Sequence, residues 1–300
     1  MKTYQVYQVD SFTREKFTGN PAGVVLNADG LSEKQMLAIA RELNNSETAF
    51  VFSPDASDHD LKIRYFTPTT EVPVCGHATI AAHFVRATVN QMASSTISHK
   101  IGIGILPVEI IKEEQGYLIV MTQGKIEFAE PIVGQEKKDI VAALGLTQED
   151  LDQRCPIQIV STGHSKVMIG INSRKKLDSL VPDMVSLGKL SALIGCNGYF
   201  VFTLDAEMPG VLTHGRMFAP AIGIVEDPVT GNANGPLGAY LIKHDLVKHN
   251  NHSFSFKGEQ GKAIGRSGIV EVQVKMEEGE PVEVKIGGRA VILFQTTIEL

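Results

Sequence analysis

An α+β fold built from two pseudo-symmetric halves, each a curled, mostly antiparallel sheet around a central apolar helix, is what this 300-residue sequence predicts. Three observations carry that prediction. The segment IRYFTPTTEVPVCGHATIAAHFV (63–85) returns as GRMFAPAIGIVEDPVTGNANGPLGAYL (215–241), and each copy contains a glycine that opens an apolar helix. Short alternating or apolar stretches bounded by Gly, Pro and Asn dominate the chain, the signature of strands. Two helical segments carry almost no charge on any face, and a helix that is apolar all round must be buried.

The repeat keeps its order throughout. Gln8 to Ser11 match Gln158 to Ser161, Phe50 and Phe52 match Phe200 and Phe202, Arg64 and Phe66 match Arg216 and Phe218, and Gly76 matches Gly231. A period near half the chain means a duplicated domain; a solenoid would repeat every 20–50 residues or so. The first half is expected over 1–125, completed by the final strand at 289–300, and the second over 126–288.

Taken in order, YQVYQV (4–9), AGVVL (22–26), TAFVFS (48–53), KIRYF (62–66), PVEII (107–111) and YLIVM (117–121) read as strands of the first half. KVMIGI (166–171), YFVFTL (199–204) and IVEVQVKM (269–276) follow in the second, and AVILFQ (290–295) ends the chain. Ser32 reads as the N-cap of a helix over 31–43, with Met36, Leu37, Ile39, Ala40 and Leu43 behind it. LTQEDL (146–151) and VSLGKLSALI (185–194) start comparable helices. The apolar pair lies at 78–85 and 236–242, where Pro236 fits a first turn whose N–H has no partner to lose.

Composition narrows the function. A hydrophobic share of 43% and a charged share of 21% are those of an ordinary globular chain, and no run of 18 apolar residues is present. The start, MKTYQVYQVDSF, lacks a secretory apolar core, so the expected compartment is the cytoplasm and no membrane partner is expected. Cys75, Cys155 and Cys196 are odd in number and unclustered, which suits reduced thiols. A net charge of −6 argues against a nucleic-acid partner, whose affinity rests on Lys and Arg neutralising phosphates. No P-loop or dinucleotide fingerprint appears in KGEQGKAIG (257–265) or elsewhere. His244, His249 and His252 lack zinc-ligand spacing and read as surface residues, and His164 in STGHSK as a structural one.

The chemistry concentrates at the two helix starts. CGHAT (75–79) and TGNAN (230–234) place Gly76, His77, Ala78, Gly231, Asn232 and Ala233 where free backbone N–H groups favour an anion. Under a pseudo-twofold, the two starts would face each other across a cleft and polarise a bound carboxylate, easing proton abstraction from the neighbouring carbon. Taken singly, each glycine could equally be a turn residue, with His77 and Asn232 as caps. Glu47, before the apolar strand Ala49 to Phe52, is expected to be partly buried, which raises a carboxyl toward acid/base work. Its repeat partner reads as Asn197. Asp227 stands four residues before Gly231, in reach of the same helix start or as the turn residue of its loop.

At these residues the chain resembles the PhzF-like (phenazine biosynthesis-like) isomerase family. The resemblance runs through SFTREKFTGNPAGVV, ARELNNSETAFVF, IRYFTPTTEVPVCGHAT, STGHSKVMI, GCNGYF and GRMFAPAIGIVEDPVTGNANG, essentially the whole chain. It implies a diaminopimelate epimerase fold, a homodimer, no metal or organic cofactor, and a glutamate that moves a proton within a small amino-bearing carboxylate. Carried over by motif, the catalytic positions fall on Glu47, His77 and Asp227. Two departures stand out. Asn232 replaces the serine of the family's TGS motif, and Cys75 occupies one catalytic position of the two-thiol epimerases whose second position is here Thr230. The alternatives to a glutamate-driven isomerase are an epimerase working through Cys75 and a non-catalytic protein that binds a small anion.

Overall fold

The computed structural model describes residues 1–300, and the chain divides into two compact units, residues 1–122 with 287–300 and residues 123–286. The first unit holds β1 (Thr3–Ser11), β2 (Asn20–Val25), α1 (Glu33–Leu43), β3 (Thr48–Phe52), β4 (Leu61–Phe66), β5 (Glu71–Val72), α2 (Gly76–Val89), β6 (Ser95–Ile101), β7 (Gly104–Lys112) and β8 (Tyr117–Thr122). The second holds β9 (Ile126–Pro131), α3 (Gly134–Ala143), β10 (Gln158–Thr162), β11 (Ser165–Gly170), α4 (Arg174–Asp178), α5 (Met184–Ile194), β12 (Tyr199–Thr203), β13 (Thr213–Ala219), β14 (Ile224–Asp227), α6 (Gly231–Lys243), β15 (Ser253–Gln260), β16 (Gly268–Glu277) and most of β17 (Glu280–Gly288). The last strand, β18 (Ala290–Glu299), belongs to the first unit, where it pairs antiparallel along the whole of β1.

The two units pair their strands alike within one 18-stranded sheet. In the first unit β1 lies antiparallel to β2, β2 parallel to β3, β3 antiparallel to β4, β4 parallel to β6, and β6 and β7 lead on antiparallel to β8. In the second, β9 to β13, β15 and β16 repeat the same sequence of pairings, with β11 to β12 and β13 to β15 as the parallel steps. The duplication extends to side chains. Arg64 grips Glu71 with Nε and Nη2 at 2.7 and 2.6 Å, its guanidinium 5.1 Å from the Phe66 ring. Arg216 does the same to Glu226 at 2.9 and 2.7 Å, 5.0 Å from the Phe218 ring.

That shared clasp fixes the repeat register, and it differs by one residue from the sequence match. Phe66 faces Thr48 across the β3–β4 pair, and Phe218 faces Tyr199 across β12–β13, so Thr48 corresponds to Tyr199 and Phe50 to Val201. A one-residue slip turns a side chain to the other face. Phe50 packs in the layer beneath α1, whereas Phe202 turns the other way onto Tyr240 of α6. The same register makes Gly198, not Asn197, the counterpart of Glu47: Glu47 O accepts from Gly23 N at 3.2 Å and Gly198 O from Val167 N at 2.8 Å. The start of each half moves with it, because Gln8 pairs with Gly23 and Ile159 with Val167.

Each half encloses its apolar helix. In α2 every residue from His77 to Val85 is buried, and α6 is buried from Ala233 to Ile242. α2 packs against β1, β2, β3, β7, β8 and β18, and α6 against β10, β11, β15 and β16. The amphipathic helices cover the outer faces: Met36, Ile39 and Ala40 of α1 meet Phe50 and Phe66, while Leu187 and Leu190 of α5 meet Tyr199, Val201 and Phe218. Ser32 caps α1 through a capping box with Gln35, as its spacing predicts.

Two helix assignments change. Residues 146–151 form a turn, because the Asp150 carboxylate accepts from Thr147 N at 2.8 Å and from its hydroxyl at 3.0 Å, closing the backbone on itself. The helix of that region is α3, just upstream. α6 begins at Gly231, which puts Pro236 in its second turn and removes one backbone donor there. No helix is long and apolar enough to cross a membrane.

Candidate active site

In the first unit, three chain segments bring a carboxylate, an imidazole and a thiol together. α1 ends on Asn44 in the left-handed conformation, and the Asn45 and Gln8 amides exchange hydrogen bonds at 2.8 and 2.9 Å, pinning the following turn to β1. Glu47 then enters β3 with its side chain 18% exposed, and its Oε2 lies 3.4 Å from His77 Nε2. Ser46 Oγ is 3.3 Å from the same nitrogen. On the other side of the ring, Cys75 Sγ lies 3.5 Å from Nδ1. Ser11 Oγ donates to His77 O at 2.8 Å, and Tyr65 Oη, 2.6 Å from Thr79 Oγ1, steadies the first turn of α2. Burial pushes the Tyr65 phenol up beyond its usual range.

Cys75 is the N-cap of α2 and makes no side-chain capping bond, whereas Ser32, Ser173 and Asp183 cap α1, α4 and α5. The first-turn donors of α2, at Gly76, His77 and Ala78, are thus left to other partners, and a Cβ on Gly76 would meet nothing within 4 Å. Glu47, Cys75 and His77 each offer one donor atom within 4.8 Å of the others, which makes them the residues able to hold a metal ion. The same spacing lets the carboxylate pass a proton along the imidazole.

In the second unit the equivalent helix start is built from hydroxyls and amides. Thr230 is the extended N-cap residue of α6 and makes no side-chain capping bond; its hydroxyl donates instead to the Asp227 carboxylate. Buried Gln260 ties the corner: Nε2 donates to Asp227 O at 2.8 Å and to Thr230 Oγ1 at 3.0 Å, while Oε1 accepts from Thr230 N and from Asn234 Nδ2. Gln123 holds Asn232 by donating to its Oδ1 at 2.9 Å, and accepts from Thr162 Oγ1 at 2.6 Å. The N–H of Ala233 is donated to Thr230 O at 3.1 Å, so the backbone donors at this start are those of Gly231 and Asn232.

Sequence reasoning placed His77 and Asp227 by the two helix starts and Glu47 before an apolar strand, and missed the amides of Gln260 and Gln123, which tie Thr230, Asn234 and Asn232 in the second unit. Gln123 lies close to the boundary read between the halves at 125/126, and Gln260 in a segment read for nucleotide motifs. His244 is not a surface residue: it is half-buried, its Nε2 is 2.7 Å from Gln158 Oε1 and its ring 4.5 Å from that of Tyr240. His164 lies in the β10–β11 turn, its Nδ1 3.3 Å from the buried Lys166 ammonium, whose charge holds the imidazole below its usual range.

The family model for phenazine biosynthesis-like proteins (PhzC-PhzF) matches residues 9–296. The chain belongs to this family. Within it, an isomerase of Clostridium acetobutylicum is 59% identical over 300 residues, covering 100% of this chain and 99% of that one. The trans-2,3-dihydro-3-hydroxyanthranilate isomerase of Pseudomonas chlororaphis is 29% identical, with 97% of this chain and 98% of that protein covered. A crystal structure of a PhzF-family protein from Bacillus anthracis superposes with a TM-score of 0.90 at 32% identity over all of both chains. The fold alone is shared with a hydroxyproline epimerase of Agrobacterium vitis, TM-score 0.65 at 12% identity over 99% of this chain and 93% of that one. As a PhzC-PhzF protein, the chain is an isomerase with an epimerase-type fold.

Proposed function

We propose that the protein is a cofactor-independent isomerase that moves a proton on a small, amino-bearing carboxylate, with Glu47 as the base that takes the proton and the acid that returns it. The observation that carries this reading is Glu47 Oε2 at 3.4 Å from His77 Nε2 beside the uncapped start of α2. Backbone N–H groups there hold the substrate carboxylate and oppose the charge that develops on the adjacent carbon. Glu47 removes a carbon-bound proton, the electron pair delocalises through a neighbouring double bond conjugated with the carboxylate, and Glu47, whose acid form exchanges with solvent, delivers a proton to a second carbon. His77 positions the glutamate. Asp227, Gly231 and Asn232 bind the substrate's polar groups. The Pseudomonas relative supports the substrate class, since its name describes an amino- and hydroxy-bearing carboxylic acid. Asn232 in place of a serine sets a different partner for one of those groups. The working form is a homodimer in the cytoplasm.

A second reading has one specific observation behind it: Cys75 Sγ lies 3.5 Å from His77 Nδ1, so the imidazole could activate the thiol of an epimerase. Against it, the matching cap is Thr230, whose hydroxyl is occupied by Asp227. The general test is incubation in deuterated water with a panel of small amino-hydroxy carboxylates. Incorporation of one carbon-bound deuterium, unchanged by dialysis against a chelator, is expected. Tight binding of a panel member with no incorporation would instead identify a binding protein.

A further inference from the structure

The isomerase reading leaves one side chain of the first unit's cluster without a role, the Cys75 thiol. Cys75 Sγ and His77 Nδ1 lie 3.5 Å apart. Bonds of about 2.3 Å to sulfur and about 2.0–2.1 Å to nitrogen, at a tetrahedral angle, hold two such ligands about 3.5 Å apart on a zinc ion. The pair thus stands at the spacing of one coordination edge. With Nδ1 on the ion, Nε2 keeps Ser46 Oγ, 3.3 Å away, as the outer hydrogen-bond partner that orients a ligating imidazole. Glu47, Cys75 and His77 each place one donor atom within 4.8 Å of the others, and a turn of the Glu47 side chain carries its carboxylate from the ring to the ion.

The donor set is chemically selective. A thiolate and a carboxylate bring two negative charges, which one divalent cation neutralises, and a thiolate with an imidazole favours zinc or cobalt over magnesium or calcium. The cluster is sheltered, with the His77 and Glu47 side chains 9% and 18% exposed, so these attractions are stronger than on an open surface. The second half has no such set. At its helix start Thr230 stands in the place of Cys75 and Asn232 in that of His77, and the strand register puts Gly198 in the place of Glu47. One ion per chain follows. Its effect follows as well, because a carboxylate bound to a cation is a weaker base and is turned from the substrate.

Resting on the isomerase reading, we propose that Glu47, Cys75 and His77 form an inhibitory site for one zinc-like divalent cation per chain. Binding breaks the Cys75 S–H bond, releases that proton to solvent and forms a metal–sulfur bond, with no change of oxidation state. The ion is a brake on the enzyme and not a cofactor of it.

The test uses the full-length chain after dialysis against a chelator, with Co²⁺ as the first probe. One Co²⁺ per chain is expected to bind with a near-ultraviolet thiolate-to-cobalt charge-transfer band, which Zn²⁺ abolishes by displacement and a large excess of Mg²⁺ does not. The band should vanish in Cys75→Ala, or in Cys75→Ser should the alanine variant not fold. His77→Gln and Glu47→Gln should each weaken Co²⁺ binding at least about tenfold, the scale that even an outer hydrogen-bond partner of a ligand carries. One equivalent of Zn²⁺ should suppress deuterium incorporation, reversibly on adding chelator, with the half-inhibiting concentration raised at least about tenfold in Cys75→Ala. Absence of the band, or a band that survives in Cys75→Ala and so belongs to Cys155 or Cys196, overturns the site. A stoichiometric zinc complex that still incorporates deuterium overturns the inhibition. The band needs no turnover, so its absence leaves proton transfer by Glu47 intact, and failure of every panel compound to exchange leaves the metal site intact.

Discussion

Arg64 and Arg216 make the same clasp in two different surroundings, and burial decides what each contributes. The Arg216–Glu226 side chains are 8% and 7% exposed, and Arg216 Nη1 also donates to the carbonyls of Leu177 and Leu180. Arg64 and Glu71 are 25% and 37% exposed. Removing one partner of a buried pair strands the other charge and costs about 3–5 kcal/mol, whereas an exposed pair is worth at most about 1 kcal/mol. Arg216→Met should thus lower the unfolding free energy in urea by several kcal/mol and Arg64→Met by one or less; equal losses would contradict this. At this scale the sequence was informative about chemistry and poor on contacts. Glu47, His77 and Asp227 stood out because each is an acid/base residue close in sequence to a strand end or a Gly-led helix start, where a side chain can meet a bound anion. Gln123 and Gln260 did not, because an amide becomes an orienting group only through what the fold brings to both its ends.

Elements announced themselves where one periodicity ruled. α1 was legible through Ser32 and its apolar face, and α2 and α6 through their lack of charge. Residues 146–151 misled because Thr147 and Asp150 supply the residue types of a cap and use them to close a turn. The repeat register slipped by one because Phe50 and Phe200 match in identity while facing opposite sides of their sheets, a distinction only strand pairing reveals. The element whose role is most directly testable is β18, which pairs with β1 from Thr3–Glu299 to Ser11–Ala290. Removing residues 289–300 strips β1 of one neighbour and removes Arg289, whose Nη2 is 2.6 Å from Glu113. Hydrogen exchange should then accelerate in β1 and α2 while β12 and α6 keep their protection. Unchanged protection of β1 and α2 would show that the first unit closes without its last strand.

At the level of the whole molecule, a buried histidine pair makes stability depend on pH. His83 and His99 are fully buried, with Nε2 of one 3.1 Å from Nδ1 of the other. Burial holds His83 well below the usual 6.5 and pushes His99 down to about 4. Because both are depressed in the folded state, the unfolded chain binds more protons between those values, so stability is intact above pH 6.5 and falls as pH drops toward 4, by about 3 kcal/mol from His99 alone. Urea midpoints across that range should show the slope, and His83→Leu/His99→Leu should flatten it; an unchanged slope would assign it to other groups. The central claim, that Glu47 moves the proton, stands apart from stability and is tested most directly by exchange of a carbon-bound substrate hydrogen with deuterated water in Glu47→Gln and Cys75→Ala. A single acid/base residue contributes about 10²–10⁴-fold in rate. Exchange abolished in Glu47→Gln, with fold and ligand binding kept, and nearly unchanged in Cys75→Ala is the predicted result; exchange that survives in Glu47→Gln and is lost in Cys75→Ala would contradict it.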